Sequence, residues 1–129
     1  MILITGSRDF KNLKVVGMFL HQFIADNGLG VELYVGDARG VDTVAATIWK
    51  SFGLKPKVYF ADWKNEGKPA GILRNIRMVD EYVRDGGRFV MGFWDGKSRG
   101  TRHCLEYAQV HHCSVEWFDE AGHRHVGVG

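Results

Sequence analysis

Hydrophobic positions along the chain follow two alternating periods. Met1-Ile2-Leu3-Ile4-Thr5 is a continuous apolar run that stops at Gly6, the pattern of a strand buried on both faces of a parallel sheet. At Leu13 the period changes: Leu13, Val16, Leu20, Phe23 and Ile24 share one helical face, with Asn12 as N-cap and Asn27-Gly28 as the stop. Val31 to Val35 alternates and ends at Gly36, a second strand. Val41, Val44, Ala45, Ile48, Trp49 and Phe52 then recur at helical spacing up to Gly53. Val58-Tyr59-Phe60, after Pro56, is a third strand.

Ala61 to Pro69 is the longest polar connection. Ile72, Ile76, Val79 and Val83 mark a third helix, ended by Asp85-Gly86-Gly87. Arg88 to Phe93 is a fourth strand, Trp94 to Arg99 a polar loop, and Thr101 to about His112 a fourth helix. Ser114 to Phe118 is a fifth strand, followed by a loose tail. Strands alternating with helices across short connections predict one α/β domain over residues 1–118 with a tail at 119–129. The expected architecture is a Rossmann-like doubly wound parallel sheet of five strands with helices on both faces. Analogy with dinucleotide-binding sheets supplies the order 3-2-1-4-5 and places ligands at the strand carboxyl ends, near the switch point between strands 1 and 4.

Composition narrows the function. A formal charge of +2 over 129 residues lacks the basic excess of a protein that grips duplex phosphates. With 45% apolar and 25% charged residues, the chain is neither disordered, collagen-like nor a coiled coil. Cys104 and Cys113 form no CxxC motif and no disulfide framework, and read as two reduced thiols. No apolar run approaches the roughly 18 to 20 residues of a membrane span, and no secretory signal opens the chain. A cytoplasmic protein with no membrane partner is the expectation.

Strands 1, 2 and 4 each end in a loop that joins glycine to arginine. Gly6-Ser7-Arg8 follows strand 1, Gly36-Asp37-Ala38-Arg39-Gly40-Val41-Asp42 follows strand 2, and Gly96-Lys97-Ser98-Arg99-Gly100-Thr101 follows strand 4. Unpaired N–H groups and partial positive charge at helix N-termini suit an anionic phosphate. None of these loops is a GxxxxGK[ST] or GxGxxG motif, which argues against ATP hydrolysis and NAD-linked hydride transfer.

These loops, with Ala61-Asp62-Trp63, Gly67-Lys68-x-Ala70-Gly71, Arg74-Asn75 and Ser98-Arg99-Gly100-Thr101-Arg102-His103, resemble the YspA-type (YpsA-related) branch of the SLOG superfamily. Its distant relatives include the LOG phosphoribohydrolases and the Smf/DprA-like proteins. The resemblance spans about residues 1 to 118. It implies a Rossmann-like fold and a site for a nucleotide or nucleotide-derived, including NAD-derived, signal. Gly100 and Thr101 would hold a phosphate, with Arg8, Arg39 and Arg74 around it. Asp42 would either accept a ribose hydroxyl or cap its helix.

The same resemblance raises catalysis and weakens it. Arg74-Asn75-Ile76-Arg77-Met78 is similar to the Arg-Lys-x-x-Met stretch of the LOG hydrolases, which would make Arg74 an active-site arginine. Their phosphate loop reads Pro-Gly-Gly-x-Gly-Thr-x-x-Glu, and here Gly100-Thr101-Arg102-His103-Cys104 puts a thiol at the catalytic glutamate. N-glycosidic cleavage needs a carboxylate to activate water or stabilise oxocarbenium charge. Glu106 points about 200° round the helix from Cys104. Asp37, Asp42, Asp62 and Glu66 stand as substitutes, and His103 as a base or a phosphate contact.

Trp63 and Trp94 lie in loops at the pocket edge, Trp63 reading as a stacking or lid residue and Trp94 as wall. Trp49 reads as core, and Trp117 as core or interface. His111, His112, His123 and His125 match no zinc spacing, so no metal is expected. The expected function is binding of a nucleotide or nucleotide-derived ligand, as sensor or sequestering protein, with no separate cofactor and no catalytic residue. The expected ligand-binding set is Gly6, Ser7, Arg8, Gly36, Arg39, Gly40, Asp42, Trp63, Arg74, Asn75, Ser98, Arg99, Gly100 and Thr101. A nucleotide N-glycosidase is the alternative, and a single-stranded nucleic-acid or partner-binding module the third reading. Large apolar helix positions suit a homodimer or higher homo-oligomer.

Overall fold

The computed structural model describes residues 1–129. In chain order the elements are β1 (Ile2–Gly6), α1 (Leu13–Asn27), β2 (Leu33–Gly36), α2 (Val41–Ser51) and β3 (Lys57–Tyr59). They continue with α3 (Trp63–Glu66), α4 (Ala70–Arg84), β4 (Phe89–Phe93), α5 (Arg99–Val110), β5 (Ser114–Phe118) and β6 (Arg124–Val126). The strands form one six-stranded sheet in the order β3-β2-β1-β4-β5-β6. All neighbours are parallel except β5 and β6.

The apolar run at the N-terminus is central for the reason its composition implies. β1 pairs with β2 (Ile2 opposite Leu33) and with β4 (Leu3 opposite Val90), and Ile2, Leu3 and Ile4 are fully buried. Strand periodicity then divides the core in two. Ile2, Ile4, Leu33, Val35, Met91 and Phe93 face Val16, Leu20, Ala45 and Trp49 of α1 and α2. Leu3, Tyr34, Val90 and Val115 face Met78, Tyr82, Leu105 and Ala108 of α4 and α5. Helices therefore cover both faces of the sheet.

Helix ends follow local chemistry. The Asn12 carboxamide oxygen accepts the Val15 N–H at 3.3 Å, and Gly28 at φ 85° ends α1. Pro69 precedes α4, and the Ser98 hydroxyl caps α5, so both helices start earlier than the apolar spacing implies. β2 starts at Leu33 rather than Val31, whose carbonyl accepts the Trp49 indole N–H at 2.9 Å. Cys104 and Cys113 are free and buried.

Two expectations are corrected. The sheet has six strands, not five, because the segment read as a loose tail carries β6. Asp119 builds its turn, accepting the Ala121 and His123 N–H groups at 2.9 and 3.0 Å, with Gly122 at φ 83°. β6 then lays the His125 ring on Trp117, centroids 3.9 Å apart, and the Trp117 indole N–H reaches the Gly127 carbonyl at 3.0 Å. Two exposed residues around the half-buried His125 carry too little apolar pattern to signal a strand. The polar connection from Ala61 also contains a helical turn, α3, capped by Asp62 on the Asn65 N–H at 3.2 Å.

The end of β1 passes so close to the start of α2 that a Cβ on Gly6 would overlap the Val41 side chain. Gly6→Ala should cost about 1–3 kcal/mol by overpacking. Gly30→Ala, where a Cβ meets nothing within 4 Å, should be near neutral. Urea unfolding of both variants tests this; equal midpoints would contradict the close approach.

Candidate functional site

The carboxyl ends of β1, β2 and β4 open on a cleft of about 660 Å³, within the size range of small-molecule sites. Its floor is built from α4, which buries Arg74 and Asn75 to 7% and 6% exposure. The Arg74 guanidinium forms an ion pair with Asp37, just past β2. Its Nε donates to Asn75 Oδ1 at 2.8 Å, and the Asn75 amide donates to the Gly100 carbonyl in α5 at 3.4 Å. One buried cation thereby ties the β2 end, α4 and the α5 start together.

Asp42 lies in the first turn of α2 against that cation. Its Oδ2 accepts the Ala38 N–H at 3.1 Å, while its buried Oδ1 has no partner. Burial pushes the Asp42 carboxyl up to about 7, against the pull of Arg74 and the Ala38 N–H and with a further push from Asp37. Gly36 makes room for this packing: a Cβ there would stand 2.7 Å from Asp42 Oδ2 and 2.9 Å from Arg74 Cζ.

The third wall is the loop into α5. Asp95 Oδ1 accepts the Lys97 and Ser98 N–H groups at 2.9 and 2.8 Å, and the Asp95 N–H donates to Ser7 Oγ at 3.1 Å. Desolvation raises the Asp95 carboxyl, but these N–H groups and the Ser7 hydroxyl outweigh it and hold it below the usual carboxylate range. Thr101 Oγ1 lies 3.2 Å from Ser98 Oγ and 3.4 Å from Ser7 Oγ. The Trp94 indole fastens the loop through the Ser98 carbonyl at 2.9 Å. With Ser98 Oγ on the Thr101 N–H, the Arg99 and Gly100 N–H groups have no acceptor in the chain. These are the orphan donors of a helix start.

Ten of the fourteen expected site residues line the cleft: Gly6, Arg8, Asp42, Trp63, Arg74, Asn75, Ser98, Arg99, Gly100 and Thr101. The other four do not. Ser7 is wholly buried behind the wall, and Gly36 lies beneath Asp42 and Arg74. Gly40, at φ 82°, brings α2 against the Arg8 carbonyl, where a Cβ would come within 2.6 Å. The Arg39 side chain is 72% exposed and paired with Asp9 at 3.1 Å.

Lys68, Lys97 and Asp95 join the lining. Lys68 and Lys97 stand in the motif loops, but a lone lysine there has no pattern that separates it from a solvated one. Asp95 and Asp37 act through hydrogen bonds between distant segments, which no local spacing displays. Of the substitute carboxylates only Asp42 lines the cleft; Asp37 is paired with Arg74, Asp62 caps α3, and Glu66 lies outside. Cys104 is fully buried on the sheet side of α5, with its thiol pushed up to about 12 by desolvation. His103 stacks on Tyr107, centroids 5.9 Å apart, and does not reach the cleft.

The fold and site define an α/β protein with a cationic cleft at the switch point of its sheet. No protein-family model matches the chain. It is similar to the Gene 61 protein of Mycobacterium phage D29, with 39% identity over 113 residues, covering 84% of this chain and 87% of the phage protein. The chain belongs to the family of that phage protein.

The Asp42 carboxyl gives this site a pH signature. Its native value of about 7 exceeds the ordinary 3.8, so the folded state binds more protons than the unfolded one between about pH 4 and 7. Its ionisation therefore removes stability as pH rises through that window. The stability of Asp42→Asn relative to the natural sequence should increase from pH 4 to 7 and level off above it. Denaturant titrations at pH 4, 5.5, 7 and 8.5 check the sign, and a constant difference would contradict it.

Proposed function

We propose that this protein is a Rossmann-like, SLOG-type domain of the YspA branch that binds a nucleotide or nucleotide-derived ligand through its phosphate, as a sensor or sequestering protein. The observation that carries this reading is the convergence on one cleft of the free α5 N–H groups with Arg8, Lys68, Lys97 and Arg99. Arg74 is already neutralised by Asp37 and serves the floor rather than the phosphate. A helix N-terminus ringed by exposed cations favours an anion electrostatically and by hydrogen bonding. Trp63, 55% exposed at the cleft rim, offers a face on which a base can stack.

Binding without turnover is favoured over N-glycosidic hydrolysis by Cys104, a buried neutral thiol where the resembling hydrolases carry a carboxylate. The sheet-order match to dinucleotide-binding proteins supports the placement of the site at the β1–β4 switch point. No helix is long and apolar enough to cross a membrane.

Mass spectrometry of small molecules released on denaturing freshly purified protein should find a stoichiometric nucleotide or nucleotide-derived compound. Arg8→Ala and Thr101→Val should each weaken binding of that compound by about 10- to 100-fold, the value of one or two charge-assisted contacts. Unchanged affinity in both variants would place the ligand elsewhere. Release of free base and ribose phosphate from an added nucleotide would favour the hydrolase instead.

A further inference from the structure

Beside the cleft lies a second hollow of about 720 Å³, lined by Asp9, Lys11, Asn12, Asp95, Lys97 and Glu120 and by no apolar side chain. Asp9, Asp95 and Lys97 line both spaces, so the hollow continues the cleft outward past the loop that leads into α5. Trp63, Gly71 and Ile72 line the cleft but not the hollow. The stacking face and the polar extension therefore belong to different parts of the site.

Charge in the hollow is unevenly committed. Asp9 pairs with Arg39 at 3.1 Å, and Asp95 Oδ1 takes the Lys97 and Ser98 N–H groups. The two Glu120 carboxylate oxygens take the Lys11 and Asn12 N–H groups at 2.7 and 2.9 Å. All three carboxylates thus have donors from the chain itself. The ammonium groups of Lys11 and Lys97 have neither an ion pair nor an acceptor, and both lysines are exposed. Arg8 and Arg99 on the cleft wall are free in the same way, whereas Arg39, Arg74 and Arg102 around them are paired with Asp9, Asp37 and Glu106. A single phosphate held at the Arg99 and Gly100 N–H groups stays within the cleft, which Lys11 does not line. A longer anion, with one phosphate at the α5 start and others beyond Lys97, meets both lysines. We infer, resting on the nucleotide reading, that the ligand is a nucleoside di- or triphosphate whose outer phosphates run past Lys97 into this hollow toward Lys11. Further phosphates suit a space without apolar lining, because they add negative charge and acceptor oxygens and no apolar surface.

The test is calorimetric titration of the full chain, stripped of any bound compound, with the 5′-mono-, di- and triphosphates of adenosine, guanosine, cytidine and uridine. For the best-bound base, the triphosphate is expected to bind at least about tenfold more tightly than the monophosphate. In Lys11→Ala that ratio should fall by about threefold or more, the modest value of an exposed charge contact. Lys50→Ala removes the same charge at the far end of α2 and should leave the ratio unchanged. Equal affinity for mono- and triphosphate overturns the extended site and leaves the nucleotide reading standing. An unchanged ratio in Lys11→Ala, or an equal fall in both variants, also overturns it. Binding of none of the twelve nucleotides overturns both the extended site and the nucleotide reading. The phosphate series on the natural sequence decides the matter even if a variant does not fold.

Discussion

A guanidinium buried at the end of a parallel sheet must be compensated on several sides, and in this protein that requirement organises the cleft. Arg74 extends from α4 and is held by the Asp37 carboxylate, the Asn75 carboxamide and the Tyr59 carbonyl. Its partners belong to the β2 end, α4 and the β3 end, and Asn75 carries the link to α5. Removing one member of such a buried set leaves the others uncompensated, which is far more costly than the set's net contribution. The floor is tied together for that reason, and its charge is consumed internally.

The consequence is a division of labour among the cations. Arg74 is structural, while Arg8, Lys68, Lys97 and Arg99 are exposed at the walls. Asp42 is the counterpart of this arrangement. Its neighbour Arg74 is committed to Asp37, so the carboxylate is buried beside a cation that compensates it only in part, and desolvation prevails. Glycines at the strand ends allow these groups to crowd together: Gly36 beneath the pair and Gly6 against Val41 leave no room for a side chain.

Legibility in the sequence followed the range of the interactions. Strands 1, 4 and 5 and the four long helices were readable because burial on one or both faces imposes a local period on their residues. Trp49 is core, as its spacing implies, at 1% exposure. β6 was not readable, since it is held by the Asp119 turn and by the Trp117–His125 stack rather than by an apolar pattern. Of the expected binding residues, those in the Gly–Arg loops that line the cleft are legible because a helix start after a buried strand has a recognisable composition. Ser7, Gly36, Gly40 and Arg39 show the limit of that signal. A residue in the loop can face the cleft, support its wall or point to solvent, and only the packing distinguishes these outcomes.

The central claim is that the open N-terminus of α5 and the cations around it form an anion site. Backbone amide NMR during a titration with inorganic triphosphate tests it most directly. Saturable shifts are expected, largest at Arg99, Gly100 and Arg8, with residues of α1 and β6 unmoved. No saturable shift at Arg99 and Gly100, or larger ones outside the cleft, would contradict it.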